Sequence, residues 1–227
     1  MKSWQKKGGI TLTKNNAQTS LYEVQTKILS MKNLRIKIMD NEHLAQINEL
    51  ALALTQEQLD AMELKMTLDF LTPPHALMIE ETRGKVLDWI DWFKNHHDKL
   101  VNRFTLSVSS KGRPPMTIGA AVFSYDMNNH YVNIHMVEHF KNIAFDDPLV
   151  KRMGFVALNV AFIFATTVQA THIQVINPLL DAKPYYNYLG FLPLNETCLK
   201  ASLATIKGKL AHLQQMNGQH DFESEED

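Results

Sequence analysis

The run from residue 154 to residue 168, GFVALNVAFIFATTV, carries no charge and holds one strongly polar side chain, Asn159, near its middle. An apolar helix needs about 20 residues to cross a bilayer, and this run is shorter, so it reads as a helix buried inside a protein core. A chain of 227 residues can bury one full-sized core of that kind, at the upper end of what a single domain holds. The formal net charge is -1, with Lys, Arg, Asp and Glu interspersed, so no extended basic face is available for a nucleic-acid backbone. Neither nucleic acid nor a membrane is an expected partner.

The rest of the chain divides around that helix. Residues 1–32 are rich in Lys, Asn, Thr and Gln without periodicity and read as a flexible extension. Residues 33–214 read as one domain, and residues 215–227 as an acidic, disordered tail ending in ESEED. Residues 34–39 alternate like a half-buried strand, and Asp40 or Asn41 supplies an N-cap for a helix over 44–54. A second helix is expected over 56–70, stopped by Pro73-Pro74, and a third over 81–96, with Val86, Leu87, Ile90 and Phe93 on one side. Strands follow at 104–109, 116–125 and 131–137, joined by turns at 111–115 and 126–129 as an antiparallel meander. The helix over 153–169 leads to a strand at 171–176, ended by Asn177-Pro178 and expected to lie parallel to its neighbour. A short helix over 182–189 closes at Gly190 in the C′ position.

The single Cys198 has no partner for an internal disulfide, which fits a reducing, cytoplasmic setting and a packing role. The polar N-terminus has no apolar stretch behind it and does not read as a secretory signal. Adjacent His96 and His97 point in different directions on a helix, and no Cys or Asp cluster completes a metal site, so no metal is expected. Nor does the sequence contain G-x-S-x-G, H-E-x-x-H or a P-loop.

The segment 153–191 carries the most information. Its helix, strand and short helix end in Ala182, Tyr185, Tyr186, Gly190 and Phe191, which matches the pattern A-x-x-[FL]-Y-x-x-x-G-F. This layout resembles the acyl-CoA-binding half of the GNAT acetyltransferases, and in element order the resemblance extends back to residue 34. It implies an α/β (α+β) fold: a mixed, mostly antiparallel central sheet flanked by helices. It also implies acetyl-CoA as co-substrate and an amine as acceptor. In that family the central strand and the strand after the long helix splay apart, and the pantetheine arm pairs with the exposed edge, here Met136, Val137 and Glu138. The pyrophosphate lies on the following helix N-terminus, here Met153, Gly154 and Phe155, with Lys151 and Arg152 just before them. Asn177, Ala182 and Tyr185 complete the expected cofactor contacts. Tyr186 matches the tyrosine that protonates the departing thiolate. The family often carries a Glu on the central strand as base; this chain has Asn133 and His135 there, so His135 is the candidate base, with Glu138 or His139 as substitutes.

The chain also departs from the family. In the phosphate loop Q/R-x-x-G-x-G/A, only Gly154 keeps its glycine; Leu149 and Arg152 stand at the first position and at the first glycine. Two readings stay open: an N-acyltransferase, using acetyl or a longer acyl chain as in N-acyl amino acid synthases, and a binding protein that keeps the fold without turnover. The glutamate-rich terminus resembles those of effectors exported by bacterial type IV secretion systems, which gives an alternative location.

Overall fold

A computed structural model of the chain describes residues 41–72, 75, 77, 79, 86–95, 103–111, 116–140, 149 and 152–217. The expected strand at 34–39, the N-terminal extension, the acidic tail from residue 218 on, His96, His97 and Lys151 lie outside the described residues, whereas residues 215–217, expected in that tail, close the last helix.

Helix α1 (Asn41–Ala61) turns Leu44, Ala51, Leu52, Leu54 and Leu59 inward. It ends where Glu63 takes a left-handed φ of 57° and the Leu64 N–H reaches back to the Leu59 carbonyl at 3.0 Å. The helix expected over 56–70 therefore stops at Ala61 and gives way to strand β1 (Met66–Asp69). Met66 is buried and Leu68 half-buried between exposed Thr67 and Asp69, a period of two over only four residues. Gln56 caps this sheet edge: its amide donates to the Met66 carbonyl at 3.1 Å, and its oxygen accepts the Leu68 N–H at 2.8 Å.

Helix α2 (Trp89–Asn95) begins eight residues later than the expected helix over 81–96. Asp88 caps it, accepting the Asp91 N–H at 2.8 Å, and Val86 and Leu87 stay outside it. Strands β2 (Arg103–Ser110), β3 (Thr117–Asp126) and β4 (Tyr131–His139) form the expected meander. Its β3–β4 turn is held by the Asp126 carboxylate, which accepts the Asn128 and Asn129 N–H groups at 2.9 and 3.0 Å. Helix α3 (Met153–Thr167) crosses over to β5 (His172–Ile176), which runs parallel to β4. Helix α4 (Lys183–Tyr188) follows, then β6 (Leu192–Asn195), β7 (Cys198–Ser202) and helix α5 (Leu203–Asn217).

The sheet order is β1-β2-β3-β4-β5-β7-β6, mostly antiparallel and flanked by helices, the class expected from the sequence. The last two strands and α5 were not anticipated. Every residue of β6 is exposed and Pro193 interrupts it, while α5 packs through the sparse set Ile206, Leu210 and Gln214. One face of the sheet meets α1, α3 and α5 in the larger core. Within it the Asn159 amide donates to Gln58 at 2.6 Å and to Thr55 at 3.3 Å, and Gln214 donates to Gln58 at 2.9 Å, which ties the three helices together. The other face carries a smaller cluster: Leu71, Ile79, Trp89, Trp92, Ala120, Val122 and Phe140. Among the described residues no helix is long and apolar enough to cross a membrane.

Candidate functional site

The parallel β4–β5 pair is short. Tyr131, Val132, Asn133 and Ile134 pair with His172, Ile173, Gln174 and Val175, and there the pairing stops, although β4 continues to His139. β5 stays with β7 through Ile176 and Cys198. Asn177 then takes a left-handed φ of 50° and donates its N–H to the Thr197 carbonyl at 2.7 Å, and Pro178 follows. The two strands thus splay, and among the described residues Met136, Val137 and Glu138 have no strand partner on the β5 side. On the β3 side, Val122 pairs with Met136 and Phe123 with Ile134, so His135 is the extra residue of a β-bulge.

Helix α3 starts over the end of this open edge. Gly119 on β3 makes that possible, because a Cβ there would lie 2.5 Å from Leu149 Cδ2, 2.7 Å from Met153 Sδ and 3.1 Å from the Glu138 carbonyl. Arg152 occupies the N-cap and its side chain makes no cap bond, so it does not satisfy the first-turn N–H groups of Met153, Gly154 and Phe155. The side chains of Met153 and Phe155 are buried, so these residues face a ligand only through backbone. Gly154 accommodates α4: a Cβ on it would stand 2.3 Å from the Tyr185 hydroxyl oxygen and 2.5 Å from its ring.

Each position of the short-helix pattern has a local task. Ala182 is the N-cap of α4, and its carbonyl accepts the Tyr186 N–H at 3.1 Å. Gly190 sits at φ 90°, and the Phe191 N–H reaches back to Tyr186 at 3.0 Å in a Schellman closure. Tyr186 stacks edge-on between Tyr185 and fully buried Phe191, at 5.9 and 5.7 Å between centroids. Burial raises the pKa of both phenols, Tyr186 up to about 12.

A parallel pair splayed beyond Ile134, with α3 crossing between its strands and beginning at the mouth of the gap, decides the architecture. This is the arrangement that the resemblance to the GNAT acetyltransferases implies. No protein-family model matches the sequence, and no curated protein does. Among solved structures the chain aligns with the KacTA–DNA complex at 14% identity and a TM-score of 0.49, over 65% of this chain and 99% of that one. It aligns with AtaTR bound with AcCoA at 14% identity and 0.48, over 63% and 96%. The spermidine N-acetyltransferase from Vibrio cholerae in complex with CoA and spermine aligns at 11% and 0.44, over 63% and 98%.

In this frame the structure gathers Gly154, Tyr185 and Tyr186 on the α3 face of the sheet. His135 lies on the opposite face, its Nε2 2.8 Å from Ser124 Oγ, near the Asn133 amide that donates to the same hydroxyl at 3.3 Å. Met136 turns its side chain into the smaller cluster. Glu138 is the main correction. Its buried carboxylate accepts the Trp89 indole N–H at 2.7 Å, the Leu87 N–H at 3.2 Å and the Val86 N–H, so it is engaged as an anchor and does not stand as a substitute base. Leu149, which stands where the family carries Gln or Arg, is fully buried over Gly119. Cys198 is buried, with its sulfur 3.5 Å from Gln174 Oε1. The roles of Glu138, Trp89 and Gly119 had no signal in the sequence, because each depends on a contact between distant segments.

Proposed function

We propose that this chain is an N-acyltransferase that moves an acetyl group from acetyl-CoA to an amine on a small molecule or protein by direct attack. The observation that carries this reading is the backbone edge at Met136, Val137 and Glu138, open among the described residues, which leads to a first turn of α3 that the Arg152 side chain does not cap. An extended pantetheine arm has unpaired strand groups to bond there, and a pyrophosphate has helix N–H groups at the far end. Arg152 and Lys151 stand just before that turn. The fully buried side chains of Trp89, Phe140, Ala120 and Val122 fill the space beside Met136, which favours a short acyl group over a long chain.

In the reaction the amine nitrogen attacks the thioester carbonyl carbon, with the Val137 N–H on the carbonyl oxygen. The C–N bond forms, the C–S bond breaks and the thiolate leaves with the electron pair. Tyr186 serves the sulfur from the α3 face. A phenol whose pKa is pushed up to about 12 is neutral at physiological pH, and thiols ionise near about 8.5, so its part is a hydrogen bond to the departing thiolate more than outright proton loss. His135, on the opposite face beside Ser124, is the candidate base for the proton that the amine sheds. Acid and base then act from the two sides of the gap.

A second reading, a binding protein without turnover, draws on Leu149, whose burial removes a polar contact from the phosphate loop. Calorimetric titration with acetyl-CoA and a longer acyl-CoA separates the readings. The enzyme reading expects saturable acetyl-CoA binding that Arg152→Glu abolishes and Tyr186→Phe preserves, with turnover lost in Tyr186→Phe. Binding of neither thioester by folded protein overturns it.

A further inference from the structure

We propose that Glu138 is a positioning residue that couples the acyl-donor edge to a wall on the acceptor side, formed by residues 86–92. The inference rests on the acyltransferase reading above. Glu138 has two ends with different duties. Its backbone belongs to the stretch of β4 beyond the end of the β5 pairing, where the donor's amides would bond. Its carboxylate, on the other face, collects the Val86 and Leu87 N–H groups and the Trp89 indole.

A buried carboxylate held by several N–H donors is costly to disturb, because removing it strands those donors out of water. Here the donors lie 49 to 52 residues away in sequence and hold the entry to α2, where Asp88 caps the helix. Trp89, wholly buried, is edge-on to Phe140 at 6.0 Å, and Phe140 directly follows β4 and bonds through its N–H to Ile118 at 2.8 Å. The wall thus grips the end of β4 twice, once through Glu138 and once through Phe140. A ligand that pairs with the backbone of Met136, Val137 and Glu138 fixes that strand end and thereby the wall. By reciprocity, a wall that loses its grip weakens the ligand.

The α3 face beside the gap is occupied by α3 and α4, so an amine must reach the thioester from the face that carries the wall. Glu138 therefore readies the acceptor side when the donor is seated.

The test is an acetyl-CoA titration of the full chain, followed by calorimetry and by the Trp89 indole N–H resonance, which Trp89→Phe assigns. In the wild type, the indole resonance shifts in step with saturable binding. Glu138→Gln keeps the shape but turns an N–H donor toward other donors; it is expected to weaken acetyl-CoA by about tenfold and to uncouple the indole shift from binding. Trp89→Phe keeps a ring in the cluster and deletes one bond, with an expected weakening of about threefold, so the test survives if Glu138→Gln fails to fold. Wild-type binding with an unmoved indole resonance, or Glu138→Gln and Trp89→Phe both binding as the wild type does, overturns the coupling and leaves the acyltransferase reading standing. Absence of binding in the wild type overturns both.

Discussion

The two faces of the central sheet are built by different means. The face under α1, α3 and α5 is a continuous apolar core, in which α3 buries residues all around its circumference. The opposite face is divided: an apolar cluster around Trp89 and Phe140 lies next to a polar strip of Ser124, Asn133, His135 and Gln174. The first face depends on repeated patterns, so many residues share the load. The second depends on single contacts between distant positions, above all Glu138 with Trp89, so a few residues decide it. Substitutions deep in the first face, away from the gap, should change stability without touching ligand chemistry, and those of residues that line the gap should show in ligand binding or turnover.

The largest effect expected is Phe164→Ala. Phe164 is buried and edge-on to Tyr125 at 6.2 Å, and its truncation should cost about 3–5 kcal/mol in a denaturant titration, while the folded fraction still binds acetyl-CoA. Affinity lost in proportion to stability would show that the faces are not separable. Gly190→Ala comes next, at about 1–3 kcal/mol, since φ is 90° there and a Cβ would meet Thr205 Cγ2 at 2.4 Å. It also displaces the Schellman closure that aims Tyr186, so turnover should fall further than stability does.

Gly154→Ala breaks the comparison from the other side. The new methyl runs into the Tyr185 hydroxyl at 2.3 Å, but the ring can swing outward, so stability should change by less than about 1 kcal/mol. Acetyl-CoA affinity should drop, and Tyr185→Ala added to Gly154→Ala should restore part of it. Strict additivity of the two affinity losses would mean that the ring and the turn do not share one space.

What the sequence disclosed follows the same division. The charge-free run gave α3, the alternation at 116–125 and 131–137 gave the meander, and the Ala182 to Phe191 pattern gave α4 with its glycine closure. Periodicity is visible because many residues repeat the same demand. β1 was absorbed into a helix because four residues hold too few alternations to outweigh the helical spacing before them, and Glu63 ends that helix without the glycine that usually marks such an end. β6 carries no buried residue to give a pattern at all. The bulge that presents His135 and the bonds that engage Glu138 are tertiary facts. The sequence points to His135 as a base and to Glu138 on the donor edge, but neither the bulge nor the carboxylate's partners can be read from it.

The smallest effect, nil at neutral pH, tests whether Tyr186 sits in a dry gap. Its pKa, pushed up to about 12 by burial, exceeds the value near 10 of an exposed phenol. Below pH 10 both folded and unfolded chains carry the neutral phenol, and the hydroxyl adds nothing to pH dependence. Between about pH 10 and 12 the unfolded chain ionises and the folded chain does not, so the unfolded state gains and stability falls, by up to about 2 kcal/mol from this group. Tyr125, Tyr131 and Tyr185 are shifted in the same direction, so the informative quantity is a difference: the wild type should lose more stability than Tyr186→Phe from pH 9 to 11. Parallel curves would put the Tyr186 hydroxyl in water, where it would hold a departing thiolate no better than solvent does.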